Sequence, residues 1–246
     1  MTLSVPGIHK MNLKGAVEQP VENELGVISR MLPLAGAAVL ELGCGAAEKT
    51  RAIAESTDVA AITAVEIDPI QHGKNLKITD LPKVSFKSYG AQAIPEADDS
   101  FDIVMMFKSL HHVPGESMDQ ALQEIQRVLK PGGYVYISEP VFAGEFNEIM
   151  RLFHDEEIVR KNAFDALLRA VDNGVLELGE EYFFKNVIKL RSFEQYEAGI
   201  LSVTHSDHDL DDETLAEVKR RFMKHESDRG FIFEVPNRID LLRKPG

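Results

Sequence analysis

The most constraining feature of the sequence is an alternation between short β-rich runs and helix-compatible stretches within the first 140 residues. The β-rich runs are Ala38–Leu42, Ala61–Glu66, Val84–Ser88, Phe101–Phe107 and Tyr134–Ser138. The stretches with helical periodicity between them are Glu48–Ser56, Ile70–Ile78 and Ser117–Leu129. Strands that alternate with helices form βαβ units, so the sequence predicts an α/β fold with a parallel sheet covered on both faces.

The segments on either side of this alternation predict mostly helices. Apolar residues at helical spacing indicate a helix over Val17–Leu32, within an N-terminal helical segment 1–32. After the fifth run, residues 141–192 read as a helical insertion, although Phe183–Leu190 carries a weak strand or helix signal. Helical spacing returns at Phe193–Leu201 and Asp211–His225, and the last residues predict a long strand with a bend near Pro236. We therefore expect residues 1–246 to form a single domain.

Composition and charge narrow the class of function. The 246 residues carry a net charge of −13, which disfavours nucleic-acid partners because such proteins need a basic surface. No run approaches the roughly 18 apolar residues of a membrane span, and the N-terminus has no apolar signal core, so we expect a cytoplasmic location without membrane contact. The single Cys44 excludes an intrachain disulfide and fits a reducing compartment.

A glycine-rich turn follows the first β-rich run, in the stretch AAVLELGCGAAEKT. Gly43 and Gly45 lie where the strand passes into a helix, which is the usual ligand site of an open α/β sheet. A dinucleotide fingerprint needs a third glycine where this chain has Glu48, and Glu41 adds a second negative charge. The turn therefore favours a ligand that carries positive charge and no phosphate.

A second acid points to a nucleoside. Glu66 ends the second β-rich run, about 20 residues past the glycines, the separation at which an acid reaches ribose hydroxyls in nucleoside-binding α/β folds. Together with the charge at the glycine turn, this spacing indicates a nucleoside with a cationic appendage.

Four motifs in order resemble the class I S-adenosylmethionine-dependent methyltransferases, in the group that includes small-molecule and quinone methyltransferases. They are VLELGCGAAE, AVEIDP, AQAIPEADDSFDIVMMFKSLHHV and RVLKPGGYVYISEP. The resemblance implies a Rossmann-like, mostly parallel seven-stranded sheet with helices on both faces and a helical insertion after the fifth strand. It also implies S-adenosyl-L-methionine as cofactor and S-adenosyl-L-homocysteine as product; nothing in the sequence marks a modified form of the cofactor.

The resemblance assigns roles to the residues of these motifs. Those implied at the methionine end of the cofactor are Glu41, Gly43, Gly45 and the carbonyl of Phe107. Those implied at the adenosine end are Glu66 on the ribose hydroxyls, Ile67 packed on the adenine, and Ala91 and Gln92 at the adenine edge. Two positions depart from the family pattern: Ala47 replaces a frequent glycine, and Gly90 replaces a common Asp, which leaves adenine recognition to Gln92 or to backbone groups.

The acceptor side is predicted near the ends of the fourth and fifth strands. His111 and His112 are candidate catalytic residues that can accept a proton from the nucleophile; the alternative is that they cap the following loop. Lys108 and Glu139 are candidate substrate contacts or salt-bridged rim residues. The THSDHD stretch, with two histidines and two acids, is better explained as a solvated loop, so no metal site is predicted.

The predicted reaction is direct displacement, with the methyl group moved to a small, partly hydrophobic acceptor. Residues 141–192 and His9–Asn12 are expected to close over the crevice as a lid. Two alternatives stay open: a methyltransferase that acts on tRNA or protein, and a regulatory module that binds the cofactor without turnover.

Overall fold

A computed structural model describes residues 11–16, 18–201 and 210–246. The strands are β1 (Ala38–Leu42), β2 (Ala61–Val65), β3 (Val84–Lys87), β4 (Phe101–Phe107), β5 (Leu129–Pro140), β6 (Glu177–Leu190), β7 (Glu226–Ser227) and β8 (Gly230–Arg243). Seven of them lie in the order β3-β2-β1-β4-β5-β8-β6, and the two-residue β7 pairs with β8. The first five strands are mutually parallel, whereas β8 runs antiparallel to both of its neighbours.

The helices cover both faces of this sheet. They are α1 (Glu24–Met31), α2 (Glu48–Ser56), α3 (Pro69–Asn75), α4 (Met118–Val128), α5 (Glu145–Met150), α6 (Glu157–Asp172), α7 (Phe193–Tyr196) and α8 (Asp212–Met223). Side chains of α4 and α6 pack on one face, and side chains of α1 and α2 pack on the other. The predicted fold class is therefore confirmed, with a seven-stranded main sheet.

Alternation along the central strands explains why both faces are buried. In β4, Ile103 and Met105 pack toward the α1–α2 face, whereas Val104 and Met106 pack toward the α4–α6 face. All four side chains are fully buried. Because successive side chains of a strand point to opposite faces, a stretch covered on both sides is apolar at every position, as residues 103–107 are.

The N-terminal helix is shorter than predicted. It begins at Glu24, after Asn23 caps it by accepting a hydrogen bond from the amide of Leu25. The residues before it are extended: Lys185 donates its amide to Pro20, and Glu22 returns a bond to the carbonyl of Lys185. Pairing with β6 thus overrides the apolar periodicity of this segment. The first ten residues and residue 17 lie outside the described part of the chain.

The predicted helical insertion is wrong in part. The start of the predicted helical insertion is two helices, α5 and α6, separated by residues 151–156. Residues 177–190 form β6, an edge strand of the sheet that pairs with β8 along its whole length. Most side chains of β6 are only half-buried, so its sequence lacks the apolar pattern of a central strand.

The other boundaries differ from the predicted ones by a few residues. Strand β5 begins at Leu129 because that residue pairs with Phe101, ahead of the turn that was expected to start it at Tyr134. Residues 193–201 divide into α7 and a π-helical turn, Glu197–Leu201. Among the described residues, no helix combines the length and apolar character required to cross a bilayer.

An aromatic cluster beneath α8 joins that helix to the far end of the sheet. Phe222 is fully buried, and its ring centroid lies 4.3 Å from that of Phe231 and 4.9 Å from that of Tyr196. Replacing Phe222 with Ala should lower the free energy of unfolding by about 3–5 kcal/mol, because the ring leaves a cavity among packed aromatic groups. Urea denaturation followed by circular dichroism measures the change.

The neighbouring Met223 provides the control, because its side chain is 38% exposed at the end of the same helix. Met223→Ala should change the free energy of unfolding by no more than about 0.5 kcal/mol. Equal losses in the two variants would contradict the packing of α8 described here.

Candidate active site

A crevice at the carboxyl ends of the parallel strands begins at the glycine turn after β1. Gly43 and Gly45 have φ angles of 76° and 52°, in the region that favours glycine. A Cβ atom on Gly43 would lie 2.6 Å from the Cβ of Ser109, whose hydroxyl donates to the carbonyl of Leu42 at 2.8 Å. Position 43 therefore requires glycine, because any side chain there would collide with Ser109 just after β4. Ala47, which replaces the family glycine, also has a positive φ of 61° and caps α2.

Glu66 ties this turn to the end of β2. Its carboxylate accepts a hydrogen bond from the amide of Gly45 at 2.8 Å and another from the amide of Asp68 at 2.9 Å. Asn75 secures the other side of the turn by donating to the carbonyl of Gly45 at 2.8 Å. The structure therefore brings the predicted ribose-binding acid and the glycine turn into direct contact.

Glu41 lies beneath the turn, buried between β1 and α2. The hydroxyl of Thr50 donates to its carboxylate at 2.7 Å. Burial raises the pKa of Glu41 to about 7, while the bond from Thr50 and the positive charge of Lys49 act in the opposite direction. Glu41 is thus enclosed by protein, and it supports the turn from below.

The predicted adenine-side residues lie along one wall of the crevice. Ile67 is 65% exposed directly beside Glu66, which leaves a large apolar side chain without a protein neighbour to cover it. Ala91 is buried. The amide group of Gln92 lies over Gly90, with its Oε1 2.4 Å from the place a Cβ of residue 90 would occupy. The absence of a side chain at Gly90 therefore makes room for the amide of Gln92.

A buried polar group that the sequence analysis missed lies between α1, α2 and β5. Glu24 is 2% exposed, accepts from the hydroxyl of Ser138 at 2.5 Å and pairs with the ammonium of Lys49 at 2.7 Å. Glu24 has the ordinary appearance of a first-turn helix acid, so its sequence position gave no signal. Glu24, Ser138 and Lys49 thus connect α1, β5 and α2 on that side of the sheet.

The end of β4 brings Phe107 and Lys108 to the carboxyl edge of the sheet. Phe107 is its last residue, and its ring packs on Tyr136. Lys108 follows with a positive φ of 52°, and its amide donates to the carbonyl of Ser138 at 2.7 Å. The ammonium group is accessible from a cavity but largely surrounded by protein, and this burial lowers the pKa of Lys108.

His111 lies between two carboxylates. Its Nδ1 contacts Glu139 at the end of β5, and its Nε2 is 3.4 Å from Oε1 of Glu156. Burial lowers the pKa of His111, but the charges and hydrogen bonds of Glu139 and Glu156 outweigh it and raise the pKa to about 9. The structure thus pairs Glu139, predicted to contact substrate, with a predicted catalytic histidine.

Glu156 is the residue that completes this cluster, and the sequence analysis missed it. Its Oε2 accepts two bonds from the guanidinium of Arg160, at 2.5 and 3.0 Å, and its Oε1 lies 2.8 Å from Nε2 of His154. Burial raises the pKa of Glu156, but His111 and Arg160 outweigh it and hold the pKa well below its usual range. Residues 154–156 reach the histidines because the chain breaks between α5 and α6, and the helical periodicity of this segment gave no sign of that break.

His112 is open to the cavities on this side of the crevice. Its ring lies over that of His111, with centroids 4.1 Å apart. Enclosure by protein and the positive charge of His111 both lower the pKa of His112. The two histidines and Glu156 line a cavity of about 380 Å³ and a second one of about 180 Å³.

The smaller cavity combines an apolar wall with polar groups. The apolar side chains that line it are Pro140, Val141, Phe146, Met150, Ile188 and Val235. Lys108, Asn147 and Arg160 supply donors, and the Nδ2 atom of Asn147 is buried with no hydrogen-bond partner among the described residues. The cavity therefore suits a small, partly apolar molecule with a hydrogen-bond acceptor.

Comparisons with known proteins agree with this geometry. Residues 40–137 match a family model described as a methyltransferase domain. The chain is 31% identical over 122 residues to the ubiquinone biosynthesis O-methyltransferase of Paracidovorax citrulli, covering 46% of this chain and 48% of that protein. It is 32% identical over 117 residues to the 27-O-demethylrifamycin SV methyltransferase of Amycolatopsis mediterranei, covering 46% and 42%. Each match thus spans less than half of the relative's length.

Solved structures extend the similarity to the whole fold. A protein from Bacillus halodurans, proposed to be a methyltransferase, superposes with a TM-score of 0.63 at 18% identity over 91% of this chain and 99% of that one. The [4+2]-cyclase SpnF superposes with a TM-score of 0.57 at 20% identity, covering 94% and 88%. The fold is the Rossmann-like α/β fold of these solved structures. Residues 40–137 are similar to a methyltransferase domain of the S-adenosylmethionine-dependent type, whose cofactor is S-adenosyl-L-methionine.

Burial of Glu41 predicts a specific pH dependence of stability. Between its unfolded pKa of 4.5 and its folded pKa of about 7, the native state holds a proton that the unfolded state releases. This contribution to stability is present below pH 4.5 and is lost as the pH rises through 7, by on the order of 3 kcal/mol. Relative to Glu41→Gln, the unmodified protein should therefore lose stability between pH 5 and pH 8 in urea denaturation.

Glu48→Gln is the matched control, since it removes an exposed carboxylate from the same turn. This variant should keep the pH-dependent loss seen in the unmodified protein. A stability difference between the unmodified protein and Glu41→Gln that stays constant over this range would contradict the buried environment of Glu41.

Proposed function

We propose that the protein transfers a methyl group from S-adenosyl-L-methionine to a small, partly hydrophobic acceptor by direct displacement. The observation that carries the proposal is the arrangement of two features at one edge of the sheet. The glycine turn held by Glu66 lies at the carboxyl ends of β1 and β2, and the mixed apolar and polar cavity lies by the ends of the neighbouring strands β4 and β5. This arrangement fits a nucleoside at one end and a methyl acceptor at the other.

The cofactor is proposed to lie along the carboxyl ends of β1, β2 and β4. Each oxygen of Glu66 accepts one backbone bond and retains a lone pair for a ribose hydroxyl. Ile67 offers its exposed side chain to the adenine, and the amide of Gln92 takes the recognition role that an Asp at position 90 fills in the family pattern. Gly43 and the carbonyl of Phe107 then face the methionine portion.

The acceptor is proposed to occupy the 180 Å³ cavity. Its walls come from α5, the start of α6 and β6 on one side and from the sheet strand β8 on the other. The first three lie within residues 141–192 and are proposed to act as the lid. Two matched relatives are named as O-methyltransferases of ubiquinone biosynthesis and of a rifamycin, and they favour an oxygen nucleophile on such an acceptor.

The chemistry requires little beyond alignment and exclusion of water. The sulfonium of the cofactor activates its own methyl group, so the enzyme must hold the nucleophile in line with the departing thioether. A hydroxyl acceptor must also lose its proton. His112, at the border of both cavities, is proposed to accept that proton, since its lowered pKa leaves the imidazole neutral. His111, whose pKa of about 9 keeps it protonated at neutral pH, is proposed to hold the ring of His112 in place.

The proposed position of the adenine can be tested with two isoleucines. Ile67 and Ile70 are 65% and 60% exposed, so replacing either with Ala should leave stability unchanged. Ile67→Ala should weaken binding of S-adenosyl-L-homocysteine on the order of tenfold, because the adenine loses apolar contact. Ile70→Ala, on α3, should bind as the unmodified protein does. Isothermal titration calorimetry measures both, and equal affinities would place the adenine elsewhere.

The activity itself is tested by turnover. The protein should bind S-adenosyl-L-methionine and its demethylated product, and should release that product when supplied with small phenolic or quinol acceptors. Binding of both compounds without turnover on any acceptor would favour a regulatory module. Turnover on tRNA with steep salt dependence would favour a nucleic-acid substrate instead.

A further inference from the structure

We propose that His111, His112 and Glu156 form a binding site for one divalent first-row transition-metal ion at the border of the acceptor cavity. Each side chain offers one ligand atom, and the three atoms lie within 4.8 Å of one another. Two imidazoles and one carboxylate are a ligand set that transition metals such as Zn²⁺, Co²⁺ and Fe²⁺ favour, whereas Mg²⁺ and Ca²⁺ prefer oxygen ligands.

The distance between two of the ligand atoms fits coordination of one ion by both. Nε2 of His111 and Oε1 of Glu156 are 3.4 Å apart, which is long for a hydrogen bond. Two ligands at about 2.0–2.1 Å from a tetrahedral ion lie roughly 3.3–3.4 Å from each other. An ion between these atoms would therefore meet both without movement of either side chain.

The surrounding residues orient the ligands. Glu139 holds Nδ1 of His111 and also accepts the amide of Leu110 at 2.9 Å, so the imidazole is fixed with Nε2 toward Glu156. A carboxylate behind a histidine is the usual support of a metal ligand. On the other ligand, the guanidinium of Arg160 occupies Oε2 of Glu156. Oε1 faces His111 and also contacts Nε2 of His154 at 2.8 Å, so an ion at Oε1 would compete with that contact.

The same three side chains also interact favourably with one another when no ion is bound. A proton on Nε2 of His111 then bridges toward Glu156, and metal binding displaces that proton. Three protein ligands leave a coordination position open, and both His112 and Glu156 border the acceptor cavity. If the proposed function holds, an ion held by these three residues would supply a Lewis acid that lowers the pKa of an acceptor hydroxyl.

The site is tested by titrating metal-free protein with Zn²⁺ in calorimetry and with Co²⁺ by its visible absorption, both without cofactor. One equivalent should bind to the unmodified protein. His112→Ala and Glu156→Gln should each lose that equivalent. Glu139→Gln, which removes only the support of His111, should weaken binding about 10- to 100-fold. Thermal melting of each variant checks that the fold is kept.

Two controls separate this site from other histidines. His225 also pairs with a carboxylate, Glu145, at 2.8 Å, but among the described residues it belongs to no cluster of three metal-ligating side chains, so His225→Ala should bind one equivalent. The double variant His205→Ala/His208→Ala, which removes the histidines of the THSDHD stretch, should do the same. Full binding by folded His112→Ala, or loss of binding in the double variant, would overturn the proposal.

The experiment also distinguishes this proposal from the proposed function. Metal binding without affinity for S-adenosyl-L-homocysteine would contradict the proposed function alone. Cofactor binding and turnover by a protein that takes up no metal would contradict the metal site alone.

Discussion

The contact on which the crevice depends is the hydrogen bond between the Glu66 carboxylate and the backbone amide of Gly45. It joins the ends of two adjacent parallel strands and holds the turn in a conformation that exposes bare backbone. A carboxylate bonded to amides is a strong acceptor that needs no positively charged partner. The edge of the sheet therefore stays negative and open, which suits a cationic nucleoside and disfavours a phosphate.

Buried charges recur around this edge, and several of them form ion pairs. Glu24 meets Lys49, and His111 lies between Glu139 and Glu156, with Arg160 behind the latter. Removing ions from water costs free energy, and a buried pair is weak evidence for stability by itself. Such groups concentrate where a protein acts on a ligand, and here they border the two cavities.

The two halves of the proposed site come from different parts of the chain. Residues 40–137 match the methyltransferase domain and supply the glycine turn, both strand-end acids of β1 and β2, and the two histidines. Superposition on a [4+2]-cyclase shows that the same fold carries other reactions. The 180 Å³ cavity in which the acceptor is proposed to lie is built largely by residues after 140, beyond the matched region.

The sequence by itself determined the central strands, the glycine turn and the positions of Glu41, Glu66 and the histidine pair, because alternation and motif spacing are local properties of the chain. Only the tertiary structure decided that β6 completes the sheet, since a half-buried edge strand has no apolar pattern of its own. It also decided that Glu156 meets His111: the two residues are far apart in sequence, and only the break between α5 and α6 brings them together.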